Sequence, residues 1–127
     1  MRTMQLSELQ LPERFAKKLR QDMTYLLSYK DIEIKQIILF GSCARGDCKV
    51  TSDLDILLIT KESIQRQIRG DIASELEEEL DQVRTDVVFY SEPIFEQSDS
   101  LFIKQVRKDG IIIYNQEGDG GEYHATK

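Results

Sequence analysis

Residues 39–60, LFGSCARGDCKVTSDLDILLIT, carry the two signals on which the reading of this chain turns. An apolar strand ends at Gly41-Ser42, a polar connector follows, and Asp53 and Asp55 open a second apolar strand, LDILLIT. Two residues apart at a strand start, these carboxylates leave the same face. Ionised side by side they repel one another, and burial sharpens the conflict. A divalent cation removes it, because Mg²⁺ favours a few carboxylate oxygens completed by water and substrate phosphate. Taken alone, the Asp-x-Asp pair reads better as a solvated face or as edge protection. Gly41-Ser42 narrows the choice. The glycine permits a tight exit from the strand, and Ser42 can begin a helix whose exposed backbone N–H groups attract an anion, phosphate above all. A phosphate cradle and a metal-binding pair at the ends of neighbouring strands together describe a metal–nucleotide site.

Working outward, helix and strand periods alternate along the chain. Pro12 suits a first helical position, and Phe15, Leu19, Met23 and Leu26 recur at helical spacing in a helix expected to end near Lys30. Strands are expected at 34–40 (IKQIILF), 54–60 and 84–90 (RTDVVFY). A long helix from Glu62 to Leu80 carries the stripe Ile64, Ile68, Ile72, Leu76 and Leu80. Pro93 opens a single last helix bearing Ile94, Leu101, Phe102 and Val106, which Gly110 ends before a short strand at 111–114. The pattern predicts one α/β (α+β) domain over residues 1–115, a small mixed sheet flanked by helices. Residues 116–127, glycine-rich and without apolar period, are expected to form a flexible tail.

The totals exclude several function classes. A chain of 127 residues has room for one core and not for two. No run reaches the roughly 18 apolar residues that span a bilayer, and the N-terminus has no apolar leader segment, so a cytoplasmic protein without a membrane partner is expected. A net charge of −6 argues against an extensive nucleic-acid surface. It leaves room for a nucleotide, whose phosphates need only local donors and metal. Cys43 and Cys48 read as reduced thiols; with the single His124 in the tail they are too few for a zinc site. No histidine stands near Cys43 to make it a nucleophile. The acids of the 62–82 helix, Glu75, Glu77, Glu78, Glu79 and Asp81, read as a solvated face.

A metal pair shared with a triphosphate requires a third acid. Asp86 is the candidate, since an unpartnered carboxylate within an apolar strand would be costly. Asp81, in the preceding turn, reads as a cap or a solvated side chain, and Lys49 as solvent-facing. Arg45 is open between two roles: it can reach a phosphate, or it can pair with an acid to hold the motif helix.

With these residues in place, GSCARGDCKVTSDLDILLI resembles the signature of the minimal nucleotidyltransferases (the MntA-like antitoxins) within the DNA-polymerase-β-like superfamily. The pattern is Gly-Ser, an Ala-Arg-Gly segment, Ser-Asp-x-Asp with apolar residues after it, and a third acid on a later strand; the closing helix and KDGIIIY also resemble the family's end. The resemblance spans about residues 10–115 and implies a polymerase-β-like nucleotidyltransferase fold. It implies that Gly41 and Ser42, with Arg45 as a further candidate, hold the triphosphate of ATP. Asp53, Asp55 and Asp86 would be the catalytic acids and ligands of two Mg²⁺ ions, with Asp86 also activating an acceptor hydroxyl.

Within these 127 residues no separate acceptor-binding domain is expected. The resemblance therefore implies a helical HEPN-type toxin as partner and transfer of AMP to its tyrosine, the chain acting as antitoxin of the pair. Two alternatives stand beside it: a non-catalytic module that neutralises the partner by covering it, and a small-molecule transferase of the aminoglycoside type.

Overall fold

In the computed structural model, which describes residues 1–117, five strands form one mixed sheet in the order β1-β5-β2-β3-β4. The strands are β1 (Arg2–Thr3), β2 (Ile34–Phe40), β3 (Leu54–Thr60), β4 (Thr85–Ser91) and β5 (Ile111–Asn115). The helices are α1 (Glu13–Ser28), α2 (Ser42–Arg45), α3 (Arg66–Glu77), α4 (Glu92–Gln97) and α5 (Leu101–Asp109). β2 lies antiparallel between β3 and β5, whereas β3 runs parallel to β4 and β5 to β1. Strands 34–40 and 54–60 match the expected bounds.

Both faces of the sheet are covered, which explains why its central strands read as unbroken apolar runs rather than as alternating ones. Ile37, Leu39, Leu54, Ile56 and Leu58 face a core shared with Phe15, Leu19, Met23 and Leu26 of α1 and Ile72 and Leu76 of α3. Their neighbours Ile38, Leu57 and Ile59 face Phe95, Ile103 and Val106 on α4 and α5. The α1 stripe is buried as its spacing predicts.

The last helix differs from its expectation. It is two helices broken over residues 98–100, because the Ser100 hydroxyl accepts from the Ile103 N–H and restarts the coil. The restart changes which side chains face inward: Phe95, Ile103 and Val106 are buried, while Leu101 and Ile94 are exposed. α3 is also shorter than expected, Arg66–Glu77, with the chain turning at Asp81 and Gln82 in left-handed backbone. Gly110 ends α5 in extended rather than left-handed backbone. A side chain there would collide with the Val106 carbonyl and Ile38, so close approach is what demands the glycine. The two-residue β1 has no apolar period and was not legible in the sequence. Of the expected tail, residues 118–127 lie outside the described residues. Among the described residues no helix is long and apolar enough to cross a membrane.

Candidate functional site

Strand direction brings the motif residues to one end of the sheet. β2 exits there at Phe40, which pairs with Asp55 near the start of antiparallel β3. β4, parallel to β3, starts at the same end, so that Asp86 is the register partner of Asp55. The connector 41–53 lies across this end with Asp53 just ahead of β3. Asp53, Asp55, Asp86, Gly41 and Ser42 are thus gathered from two strands, β3 and β4, and the connector between β2 and β3.

Gly41 sits in left-handed backbone, φ 79°, directly against Asp55. A Cβ at this position would lie inside contact distance of the Asp55 carboxylate, so only glycine lets β2 turn away here. Ser42 then starts α2 as expected, but α2 has only four residues. Its macrodipole is correspondingly slight, so that what the turn offers an anion is its individual leading N–H groups. The Ser42 hydroxyl donates to Ser52 Oγ at 3.3 Å, and Ser52 Oγ accepts from the Lys49 N–H at 2.8 Å. Ser52 therefore ties the start of α2 to the segment that presents Asp53.

The carboxylates differ in environment. Asp55 is pushed up from 3.8 to about 6, by burial first, then by Asp86 and Asp53, with Arg45 opposing the shift. Asp86, in contrast, is exposed. The expectation that an apolar strand would bury it does not hold: β4 is the edge strand, in which Thr85 is buried, Asp86 is exposed and the residues after it are half-buried. The desolvation cost falls on Asp55 instead.

Arg45 is 45% exposed, and its Nη1 lies 3.8 Å from Asp109 Oδ2 at the end of α5. Of its two open roles, the ion pair with an acid is present, and its exposure keeps the guanidinium within reach of solvent. Lys49 is exposed, and Asp81 pairs with Lys17 at 3.3 Å on the surface.

Cys43 and Cys48 are joined as a disulfide, with their Cα atoms 4.3 Å apart, where reduced thiols were expected. The turn from α2 into the connector brings the pair together, which spacing alone did not reveal.

Among the described residues no group of three or more His, Cys, Asp or Glu side chains converges tightly enough to hold a metal ion alone. The donor set nevertheless fits Mg²⁺ held jointly with a ligand. Mg²⁺ uses one or two carboxylates together with phosphate oxygens and water, and Asp55 is a crowded carboxylate whose ionised form a cation would relieve.

Sequence reasoning missed three contributors: Ser52; Asp109, which holds Arg45; and a buried cluster of Lys18, Asp22 and Thr85 behind Asp86. Lys18 Nζ donates to Asp22 Oδ1 at 2.6 Å and to the Leu76 carbonyl at 2.8 Å. The Thr85 hydroxyl donates to the other Asp22 oxygen at 2.5 Å. A lysine and an aspartate four apart within an apolar helical stripe were the available signal.

Comparison with known proteins bears on the family and the fold. The family model described as polymerase beta, nucleotidyltransferase, matches residues 22–119. No curated protein matches the sequence. Solved structures share the fold. A toxin–antitoxin complex with AMP-PNP matches at 23% identity and TM-score 0.57, over 78% of this chain and 75% of that one. A mutant MntA–HpeT toxin–antitoxin matches at 24% identity and TM-score 0.57, over 87% and 77%. The tri-AMPylated Shewanella oneidensis HEPN toxin in complex with MNT antitoxin matches at 19% identity and TM-score 0.50, over 80% and 76%.

Proposed function

Since the chain belongs to the polymerase-β nucleotidyltransferase family, we propose that it transfers AMP from ATP to a tyrosine hydroxyl of a HEPN-type toxin, as the antitoxin of that pair. The observation that carries this reading is the convergence of Asp53, Asp55 and Asp86 at one sheet end, with Gly41 packed against Asp55. Similar structures supply the partner class: one is a toxin–antitoxin with AMP-PNP, another an AMPylated HEPN toxin with its antitoxin.

In this reading the leading N–H groups of α2 and the Ser42 hydroxyl bind the triphosphate, and Gly41 keeps the backbone low enough for it to approach. Asp53, Asp55 and Asp86 would hold Mg²⁺, which when bound neutralises phosphate charge and lowers the pKa of the acceptor hydroxyl. Exposed Asp86 is the acid that an incoming hydroxyl meets first, and its carboxylate orients that group. The acceptor oxygen bonds to the α-phosphorus as the bond to the pyrophosphate leaving group breaks, and the acceptor proton passes to the Asp86 carboxylate and from there to solvent. The rigid pairing of β3 with β4 contributes the positioning on which such a displacement depends.

The test uses the product of the reading frame adjacent to this chain's gene as the candidate HEPN-type partner. Incubated with labelled ATP, Mg²⁺ and the wild-type chain, that neighbour should acquire label and lose toxicity, while Asp53→Asn should transfer none. Equal labelling by Asp53→Asn would contradict the reading. Full neutralisation by a doubly substituted Asp53→Asn, Asp55→Asn chain would favour neutralisation by binding alone.

A further inference from the structure

Resting on the transferase reading above, we infer that Asp22 is the positioning residue for Asp86, acting through Thr85. Lys18, Asp22 and Thr85 are 0%, 2% and 0% exposed, and the described residues contain no buried side-chain nitrogen or oxygen without a partner. The cluster joins three elements. Lys18 and Asp22 stand one turn apart on α1, Leu76 lies in the last turn of α3, and Thr85 is the first residue of β4. Lys18 satisfies a carbonyl that the end of α3 would otherwise leave open. Asp22 uses one oxygen for that lysine and the other for Thr85.

Net stability is a poor reason for such a cluster. Desolvating two charges roughly cancels their attraction, and apolar residues of similar size would serve the core as well. What they would not supply is a directed bond to the strand start. β4 is an edge strand with β3 as its only neighbour in the sheet, and it enters from the exposed turn at Asp81 and Gln82. Its first residue therefore has sheet support on one side only. The Leu54 N–H bonds the Arg84 carbonyl from that side at 2.9 Å, and the Thr85 hydroxyl bonds Asp22 from the helical layer. Side chains alternate along a strand, so anchoring Thr85 inward fixes the next residue, Asp86, outward and opposite Asp55.

The test compares Thr85→Val, which keeps the shape and removes the donor, with Thr85→Ser, which keeps the donor and removes a methyl. Binding of AMP-PNP is measured calorimetrically across a Mg²⁺ titration, alongside amide exchange at Asp86 and Val87, well below each variant's unfolding temperature. Thr85→Val should raise the Mg²⁺ concentration for half-maximal binding by up to about tenfold, the low end of the effect of losing an outer-shell partner, since this bond reaches Asp86 only through the strand backbone. It should also speed exchange at the β4 start. Thr85→Ser should stay within about twofold of wild type even where it is the less stable variant. Thr85→Val with wild-type Mg²⁺ dependence, or the two variants declining in step with their stability, would overturn the inference alone. A wild-type chain that binds no AMP-PNP with Mg²⁺ would overturn the transferase reading and this inference together.

Discussion

Asp55 and Asp86 face one another across the parallel pair β3–β4, one half-buried and pushed up to about 6, the other exposed at the sheet edge. The pair is asymmetric: the inner acid carries the cost of crowding and the outer acid faces arriving molecules. That asymmetry, with the backbone turn at Gly41, the loose tether of Arg45 and the Cys43–Cys48 link, yields four expectations.

The first concerns pH. The folded-state value of Asp55 lies above its unfolded 3.8, so its contribution to stability is fully present below 3.8 and is lost as pH rises through about 6. Above that range the nucleotide-free protein carries an unrelieved carboxylate. Asp55→Asn should raise the unfolding temperature by roughly 3–5 °C at about pH 7.5, corresponding to about 1 kcal/mol once solvent screening is allowed for. At about pH 4 the difference should nearly vanish. Mg²⁺ should stabilise wild type at the higher pH more than the variant. Thermal unfolding at both pH values checks this, and a difference independent of pH would refute it.

Gly41→Ala places a methyl group on the Asp55 carboxylate and holds a non-glycine residue at φ 79°. The strain should cost about 1–3 kcal/mol, and nucleotide binding should be lost even in the fraction that remains folded. Binding of AMP-PNP at wild-type strength would show that the close approach is dispensable.

The Arg45–Asp109 pair is partly exposed and longer than a tight ion pair. Such a contact is worth about 0–1 kcal/mol and is readily exchanged for a better anion. Asp109→Ala should leave nucleotide affinity within about twofold of wild type, whereas Arg45→Ala should weaken it about tenfold through loss of a charge-assisted bond to phosphate. Equal effects of the two substitutions would show that Arg45 acts only by holding α2 to α5.

The Cys43–Cys48 link closes a six-residue ring immediately after Ser42. By chain entropy a ring of that size stabilises the fold by about 2 kcal/mol. Reduction, or Cys48→Ser, should remove about that much in denaturant unfolding and leave the turn between α2 and the connector freer. Reduced and Cys48→Ser proteins should then bind AMP-PNP alike, each more weakly than the disulfide form. Identical stability with and without reductant would contradict it.

Much of the site was legible because it is local. Gly41, Ser42, Asp53 and Asp55 fall within fifteen residues, and strand alternation alone puts the last two on one face. Asp86 was found by residue type and strand context, but the supporting argument was wrong. A sequence shows an aspartate among apolar residues; it does not show that β4 is an edge with an open end. The break at Ser98–Ser100 was hidden for a related reason. Leu101 and Phe102 look like core residues until the Ser100 cap resets the helical phase. The spacing of Lys18 and Asp22 within the apolar stripe of α1 was a faint signal, and only the packing of α3 and β4 against that helix turns them into a buried anchor.

The most direct test of nucleotidyl transfer by this site follows the two ends of the ATP triphosphate separately. ATP labelled at the α-phosphate or at the γ-phosphate is incubated with the wild-type chain, Mg²⁺ and the candidate HEPN-type partner protein. Label from the α-position should be retained on that protein, and label from the γ-position should appear only in released pyrophosphate. Retention of γ-label on the acceptor, or no retention of either with wild type, would contradict nucleotidyl transfer at Asp53, Asp55 and Asp86.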